Sequence, residues 1–340
     1  MHLYYLIFII AFQYYFLNIN ADELEQVNLL FRHGIRTPLE CYPDDPYLSY
    51  WNQWPKGELL PDGMAQAITI GVTLKRRYTD TLKFMSPNYK RWDLLQVDYS
   101  CPRDLEIYAE RASNPKYLEW LLVSHGVLLE KVYMNTGIKI TNAQGALNFF
   151  DCIKLEHDSF NFTLPSWLDQ KTFDEAMQVR EMTFEYVYGG PGFGEPASHE
   201  MNRLRAGNLL KTWIGNMQLM MNSSNETYKM VAYGAHDTTI VPLLRIFDVK
   251  ERLLGTGNPD FTSMVALELW KKNDGSYVVK AFYYPNSKMG SINFTSMISG
   301  CPPVDECPFD IFVNRSKSYL PDDINAASFF FNFYFIWMLL

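Results

Sequence analysis

The sequence is short of positive charge, of cysteine and of long apolar runs. Thirty Lys and Arg stand against 38 Asp and Glu, for a net charge of −8 at pH 7. That balance argues against a nucleic-acid partner, which a basic surface would recruit. Any attraction for an anionic small molecule must then be local. No repeated or low-complexity segment interrupts the 340 residues, which argues against repeat architectures. Five cysteines and six histidines form no group at metal-ligand spacing, so neither a zinc site nor any other metal or cofactor is expected. No apolar run reaches the ~20 residues that span a bilayer.

Two shorter apolar runs remain. Leu3 to Leu17, followed by Asn-Ile-Asn-Ala, reads as a secretory signal peptide cleaved near Ala21 and occupying residues 1–21. Phe329 to Leu340 is a hydrophobic tail without the polar spacer of a GPI signal, and reads as translated intron or truncated anchor sequence. Membrane association through that tail stays open. Five Asn-x-Ser/Thr sequons, at Asn161, Asn222, Asn225, Asn293 and Asn314, fit passage through the secretory pathway to an extracellular or lysosomal location.

Cysteines 41, 101, 152, 301 and 307 are odd in number, so at least one lacks an intramolecular partner. Cys301 and Cys307 flank a tight Pro-Pro-Val-Asp-Glu loop and form the natural pair. A Cys101–Cys152 bridge and a bridge containing Cys41 are both possible, and spacing does not choose between them.

A chain of this length can bury one large core with an insertion. Val27 to Phe31, rich in strand formers, stops abruptly at Arg32-His33-Gly34-Ile35-Arg36-Thr37-Pro38. A buried strand that ends in a cationic loop is where an α/β sheet places its ligand. Arg32 and Arg36 offer planar charged forks suited to phosphate oxygens. Gly34 would let the backbone approach a ligand, and His33 could act as nucleophile on a phosphorus held by its neighbours. A second stretch, Val231 to Thr239, again runs a strand into a loop, carrying His236 and Asp237.

Between them, residues 62–84 predict a helix capped by Asp62, with Ile70, Leu74, Tyr78 and Leu82 at i+4 spacing and a solvated basic face at Lys75, Arg76 and Arg77. Residues 104–148 read as helical, and a further helix spans about His199 to Met221. Met264–Trp270 and Tyr277–Tyr284, joined by Asn-Asp-Gly-Ser, predict an antiparallel hairpin. His125, His157 and His199 have no motif support as catalytic groups.

The Arg-His-Gly-x-Arg-x-Pro loop near the N-terminus and the late His-Asp pair together resemble the histidine acid phosphatases, the branch of the histidine phosphatase superfamily that includes prostatic and lysosomal acid phosphatases. The likeness covers most of residues 24–320, including Asn161-Phe162-Thr163-Leu164-Pro165-Ser166-Trp167 and the Cys301–Cys307 segment. It implies a three-layer α/β sandwich on a mostly parallel sheet, with a smaller α-helical insertion at about 91–200 inside a domain of 22–328. It further implies hydrolysis of small phosphate monoesters or phosphoproteins, and a homodimer. Trp167 resembles a residue near the family's pocket mouth, and Gly207 a close-packing point under the site. Counterparts of Cys101 and Cys152 bond to later cysteines in the family, and Met264 stands where one of those partners belongs.

One segment departs from the pattern. The family carries a strand and a third phosphate-binding arginine soon after the first helix. Here the chain runs through Lys90-Arg91 to Tyr99-Ser100-Cys101-Pro102-Arg103, which matches a later segment, so several dozen residues are missing. The expectation is loss of one core strand and of the third arginine, with Arg91 and Arg103 outside any matching motif.

The chemistry implied by the residue types is a phosphohistidine route. His33 attacks phosphorus, Arg32 and Arg36 with His236 neutralise the oxygens, and Asp237 protonates the leaving group and then takes a proton from water. A secreted phosphate- or ligand-binding pseudophosphatase is the alternative.

Overall fold

In the computed structural model the described residues are 22–87, 94–99, 101–222, 228–322 and 329–332, with 94–99 and 329–332 described by their backbone alone. The proposed signal peptide, Arg91, the Asn225 sequon and residues 333–340 lie outside them. Eight strands form one sheet: β1 (Glu23–Arg32), β2 (Leu94–Tyr99), β3 (Met230–Ala235), β4 (Met264–Lys271), β5 (Tyr277–Tyr284), β6 (Ile292–Asn293), β7 (Cys307–Pro308) and β8 (Phe329–Asn332). Their order is β6-β5-β4-β1-β3-β2-β8, with β7 also paired to β5.

The pairing is parallel only at the centre, where β3 lies between β1 and β2. β4, β5, β6, β7 and β8 all pair antiparallel. The sheet is therefore mixed, where a mostly parallel one was expected. The hairpin turn at Asn273–Ser276 forces the β4–β5 reversal, since a tight loop can join only antiparallel strands. Nor is the place beside β3 empty. β2 runs parallel to it, Leu94 opposite Ala232, and β8, the first residues of the hydrophobic tail, covers the outer edge of β2. A strand therefore does occupy the place beside β3, where the loss of one was expected.

β1 is buried on both faces, as a central strand must be. Val27 and Leu29 face one layer and Leu30 the other, all at 0% exposure. A register shift between Leu24 and Gln26 returns Leu24 to the face of Val27, a β-bulge breaking strict alternation. The face of Gln26 and Asn28 carries a polar thread. The Asn28 amide donates to Gln26, Gln26 donates to the Asn216 and Tyr228 carbonyls, and Asn216 donates back to Asn28. Buried amides so satisfied fix the register of β1 against the helix behind it.

Helix α1 (Pro61–Leu74) continues in wider turns through Lys75–Thr81. Leu60 is its N-cap and Pro61 opens it, with Asp62 in the first turn making no side-chain cap. Ile70, Leu74 and Tyr78 are buried against the Val27 face of the sheet, as their spacing predicts. Lys75 and Arg76 are exposed, but Arg77 is drawn inward to the buried Glu268, at 2.7 Å, which also accepts from the Tyr78 hydroxyl.

A separate helical core follows, built from α2 (Pro102–Ala112), α3 (Ala143–Lys154) and α4 (Gln170–Val187) with the shorter helices between them. α5 (Asn208–Met221), reached through His199–Gly207, packs Leu209, Trp213 and Met217 on the other face of the sheet beside α6 (Asp237–Ile246). A buried two-pronged ion pair, Arg205 to Asp104 at 2.7 and 2.6 Å, ties the helical part to this layer.

Candidate active site

The site forms where β1 and β3, parallel neighbours, both end. Arg32 is the last residue of β1 and pairs with Ala235, the last of β3, so the loops that follow leave the sheet side by side. His33 is held from both flanks: its amide donates to the Ala235 carbonyl, and its own carbonyl accepts from the Thr262 amide. The imidazoles of His33 and His236 meet edge to face with centroids 5.1 Å apart, and Phe261 stands 5.7 Å from His33.

One proton position of His33 follows from its partner. Nδ1 lies 2.8 Å from the Gly34 carbonyl, which can only accept, so Nδ1 carries the hydrogen and Nε2 keeps the lone pair. Burial, then the charge of Arg32, lowers the His33 pKa to about 3, so the imidazole is neutral throughout the mildly acid range.

Arg32 donates to Asp237 at 2.8 Å and to the Pro259 carbonyl, with its guanidinium centred 4.4 Å above the Phe261 ring. Asp237 opens α6, where a carboxylate suits the helix dipole. Burial raises its pKa, but Arg32 and then Arg180 more than offset this, and Asp237 is held below the ordinary carboxylate range. Arg36 lies partly buried in the same cavity, its loop pinned by the Thr37 amide and hydroxyl to the Glu58 and Pro55 carbonyls.

The glycine of the loop serves a purpose other than the expected one. A Cβ on Gly34 would lie 2.2 Å from the Gly63 carbonyl oxygen, and one on Gly63 would lie 2.0 Å from that of Ile35. Gly34 thus lets the loop after β1 lie directly on the start of α1, where Gln66 also accepts from the Ile35 amide at 2.8 Å.

A cavity of about 560 Å³ opens here, lined by Arg32, Arg36, Arg180, Phe261 and Asp151 among others. Arg180 was not singled out by motif. Its signal lay in periodicity: Phe173, Ala176, Arg180, Thr183 and Val187 form the buried stripe of α4, and an arginine on such a stripe demands a reason. It donates to Asp151 at 2.5 Å and to Glu181 at 2.8 Å. Arg103, by contrast, is exposed and bound to Glu106, Glu110 and Glu200, away from the cavity.

Other expected residues fall elsewhere. Trp167, half-buried, packs against the helical core and does not line the cavity. Gly207 is a close-packing point, its neighbour being the Tyr319 carbonyl oxygen, 2.2 Å from an added Cβ. His125, His157 and His199 contact Glu175, Asp158 and Tyr319 respectively. Cys301 pairs with Cys307 and Cys41 with Cys152, leaving Cys101 buried and free. Spacing concealed one further grouping. Cys41, Asp45, Cys152 and Glu156 bring ligand-type atoms within 4.8 Å of one another, with the two sulfurs joined to each other. Of the sequons, Asn161, Asn222 and Asn314 are exposed, whereas the Asn293 amide donates to the Asp305 carbonyl.

Residues 95–284 match the model of the histidine phosphatase superfamily (branch 2). The chain is similar to lysosomal acid phosphatase of Rattus norvegicus, 25% identical over 359 positions covering 90% of this chain and 80% of the relative. It is also similar to prostatic acid phosphatase of Bos taurus, 26% identical over 360 positions covering 90% and 87%. Both alignments exceed the chain's own 340 residues and so carry gaps against it, in keeping with an absent segment. Among solved structures it resembles the phytase of Citrobacter braakii, with TM-score 0.59 at 13% identity, covering 88% of this chain and 98% of the other. The multiple inositol polyphosphate phosphatase of Bifidobacterium longum gives TM-score 0.59 at 9% identity, covering 90% and 95%. At such identities these two likenesses show the fold.

Proposed function

Because the chain belongs to the histidine phosphatase superfamily, branch 2, and is a phosphoric monoester hydrolase by that membership, we propose that it acts through a phosphohistidine on His33. The observation that carries this reading is the tautomer of His33. With Nδ1–H committed to the Gly34 carbonyl and the ring neutral, Nε2 keeps a lone pair within the field of Arg32 and Arg36, the two arginines that line the adjoining cavity. Such a nitrogen attacks phosphorus while Arg32 and Arg36 take up charge spreading over the oxygens. His236 donates to the same oxygens. Asp237 gives a proton to the leaving oxygen and then accepts one from the water that releases phosphate.

The substrate class is a simple phosphate monoester. Beyond Arg32 and Arg36 the cavity's cations are Arg180, Lys288 and Lys154, the last bound to Asp158 at 2.6 Å, and they share the wall with Asp151, Asp158, Glu181 and Asp260. A polyphosphorylated ring would bring several further charges to a wall that already carries those carboxylates. The two disulfides and the exposed sequons support a secretory-pathway location, extracellular or lysosomal.

A secreted phosphate-binding protein without turnover is the alternative, favoured by the absent arginine loop. Assaying the purified chain on para-nitrophenyl phosphate and on inositol hexakisphosphate tests both points. The expected result is turnover of the first at acid pH, weak action on the second and loss of activity in His33→Ala. Turnover unaffected by His33→Ala would overturn the nucleophile, and preference for the hexakisphosphate would overturn the substrate class.

A further inference from the structure

We propose that Arg180, delivered from the helical part of the molecule, supplies a third guanidinium to the phosphate site. The proposal rests on the phosphatase reading above and deepens it.

Arg180 is 5% exposed and stands on the apolar stripe of α4 between Ala176 and Thr183. The guanidinium gives up solvent for a carboxylate, Asp151, that itself stays 53% exposed, so desolvation offsets much of the Coulomb gain. Its position is therefore better explained by what it faces, and it faces the cavity that Arg32 and Arg36 also line.

Asp151 takes Nε and Glu181 takes Nη1, while the other oxygen of Glu181 accepts from Asn258 at 2.7 Å. Nη2 donates no hydrogen bond among the described residues. Two carboxylates thus hold the fork in place and leave one edge of it uncommitted, as an oxyanion receptor requires. Asp151 also acts on Arg36, so one carboxylate from α3 stands near both guanidinium groups. The field of Arg180 reaches the acid as well, since it ranks after Arg32 in holding Asp237 ionised.

No other described arginine near the expected break is available. Arg103 is held by three glutamates on the surface, and the loop that carries the third arginine in the resembled family has no counterpart here. An arginine on a helix facing the sheet can complete the same ring of charge, because stabilisation depends on where the donor points and not on which element carries it.

Two variants and one probe test this. Arg180→Gln removes the charge and Arg180→Lys keeps it while removing the fork. Inorganic phosphate serves as competitive inhibitor of para-nitrophenyl phosphate hydrolysis, and melting temperature is followed alongside. The expected result is a phosphate inhibition constant raised in both variants, more in Arg180→Gln, with kcat/KM lowered by roughly 10²-fold in Arg180→Gln and partly restored in Arg180→Lys. If Arg180→Gln does not fold, the Lys variant decides: weakened phosphate inhibition in a folded Arg180→Lys supports the proposal. Unchanged phosphate inhibition and kcat/KM in a folded variant, whatever its melting temperature, would show Arg180 to be a structural ion pair and overturn it. Wild-type protein that neither hydrolyses the ester nor binds phosphate would instead bring down the phosphatase reading itself, so the two failures are separable.

Discussion

Arg32 and Asp237 are ion-paired at 2.8 Å, so the group assigned to bind phosphate and the group assigned to donate a proton hold each other in the free protein. Each masks the other's task. Asp237 stays ionised while Arg32 faces it, and an ionised carboxylate cannot protonate a leaving oxygen. A phosphate dianion held between the arginines would draw Arg32 toward itself and add negative charge beside Asp237. Both changes would raise the Asp237 pKa, so in the proposed mechanism substrate binding itself loads the acid.

The consequence is proton uptake linked to binding. In calorimetric titrations of inorganic phosphate in buffers of different ionisation enthalpy near pH 5, the wild-type protein should take up more protons than Asp237→Asn. The same variant should slow esters with poor leaving groups about 10²–10⁴-fold and esters with good leaving groups far less. Equal proton uptake, or equal loss on both ester types, would remove Asp237 from the acid's role.

A second acid pair sets a dependence of stability on pH. Asp45 and Glu156 are buried together beside the Cys41–Cys152 bridge, where Trp51 Nε1 donates to Glu156 at 2.7 Å. Burial, and then Asp45, push the Glu156 pKa up to about 8 despite the Trp51 hydrogen bond. A carboxyl whose folded pKa lies above its unfolded value of 4.5 gives its full stability below that value and loses it as pH rises through 8. Glu156→Gln should therefore gain in melting temperature relative to wild type between pH 5 and 8. A constant difference across that range would contradict the buried, protonated carboxyl.

Close glycine contacts separate stability from activity. Gly34→Ala must move the loop off Gly63, and overpacking of this kind costs about 1–3 kcal/mol. It should lower both melting temperature and kcat/KM, because His33 is the adjacent residue. Gly207→Ala meets the Tyr319 carbonyl at the same 2.2 Å and should lower melting temperature while leaving kcat/KM near wild type. Undiminished activity in a folded Gly34→Ala would show that the loop tolerates displacement.

What could be read from the sequence was local. Arg32, His33 and Arg36 announce themselves because one strand end delivers them in a single short loop, and the parallel neighbour does the same for His236 and Asp237. The hairpin was legible from its turn, and α1 from the spacing of Ile70, Leu74 and Tyr78. What could not be read was contact between distant segments. Cys41 and Cys152 are separated by 111 residues, and no spacing rule connects them. Arg180 sits in a run of mixed charge, and its cavity-facing position depends on Asp151 of another helix. Gly34 was recognisable as a tight approach, but its partner, the backbone of Gly63, is a tertiary fact.

The central claim is that Nε2 of His33 carries the phosphoryl group, and trapping it is the most direct test. Wild-type protein mixed with a labelled phosphate monoester is quenched within milliseconds into alkali, where a phosphoramidate persists, and the labelled peptide is sequenced. The account predicts label on His33, absent from His33→Ala and accumulating in Asp237→Asn with a good leaving group, since release then lacks its base. Label on another residue, or steady turnover with none on His33, would contradict it.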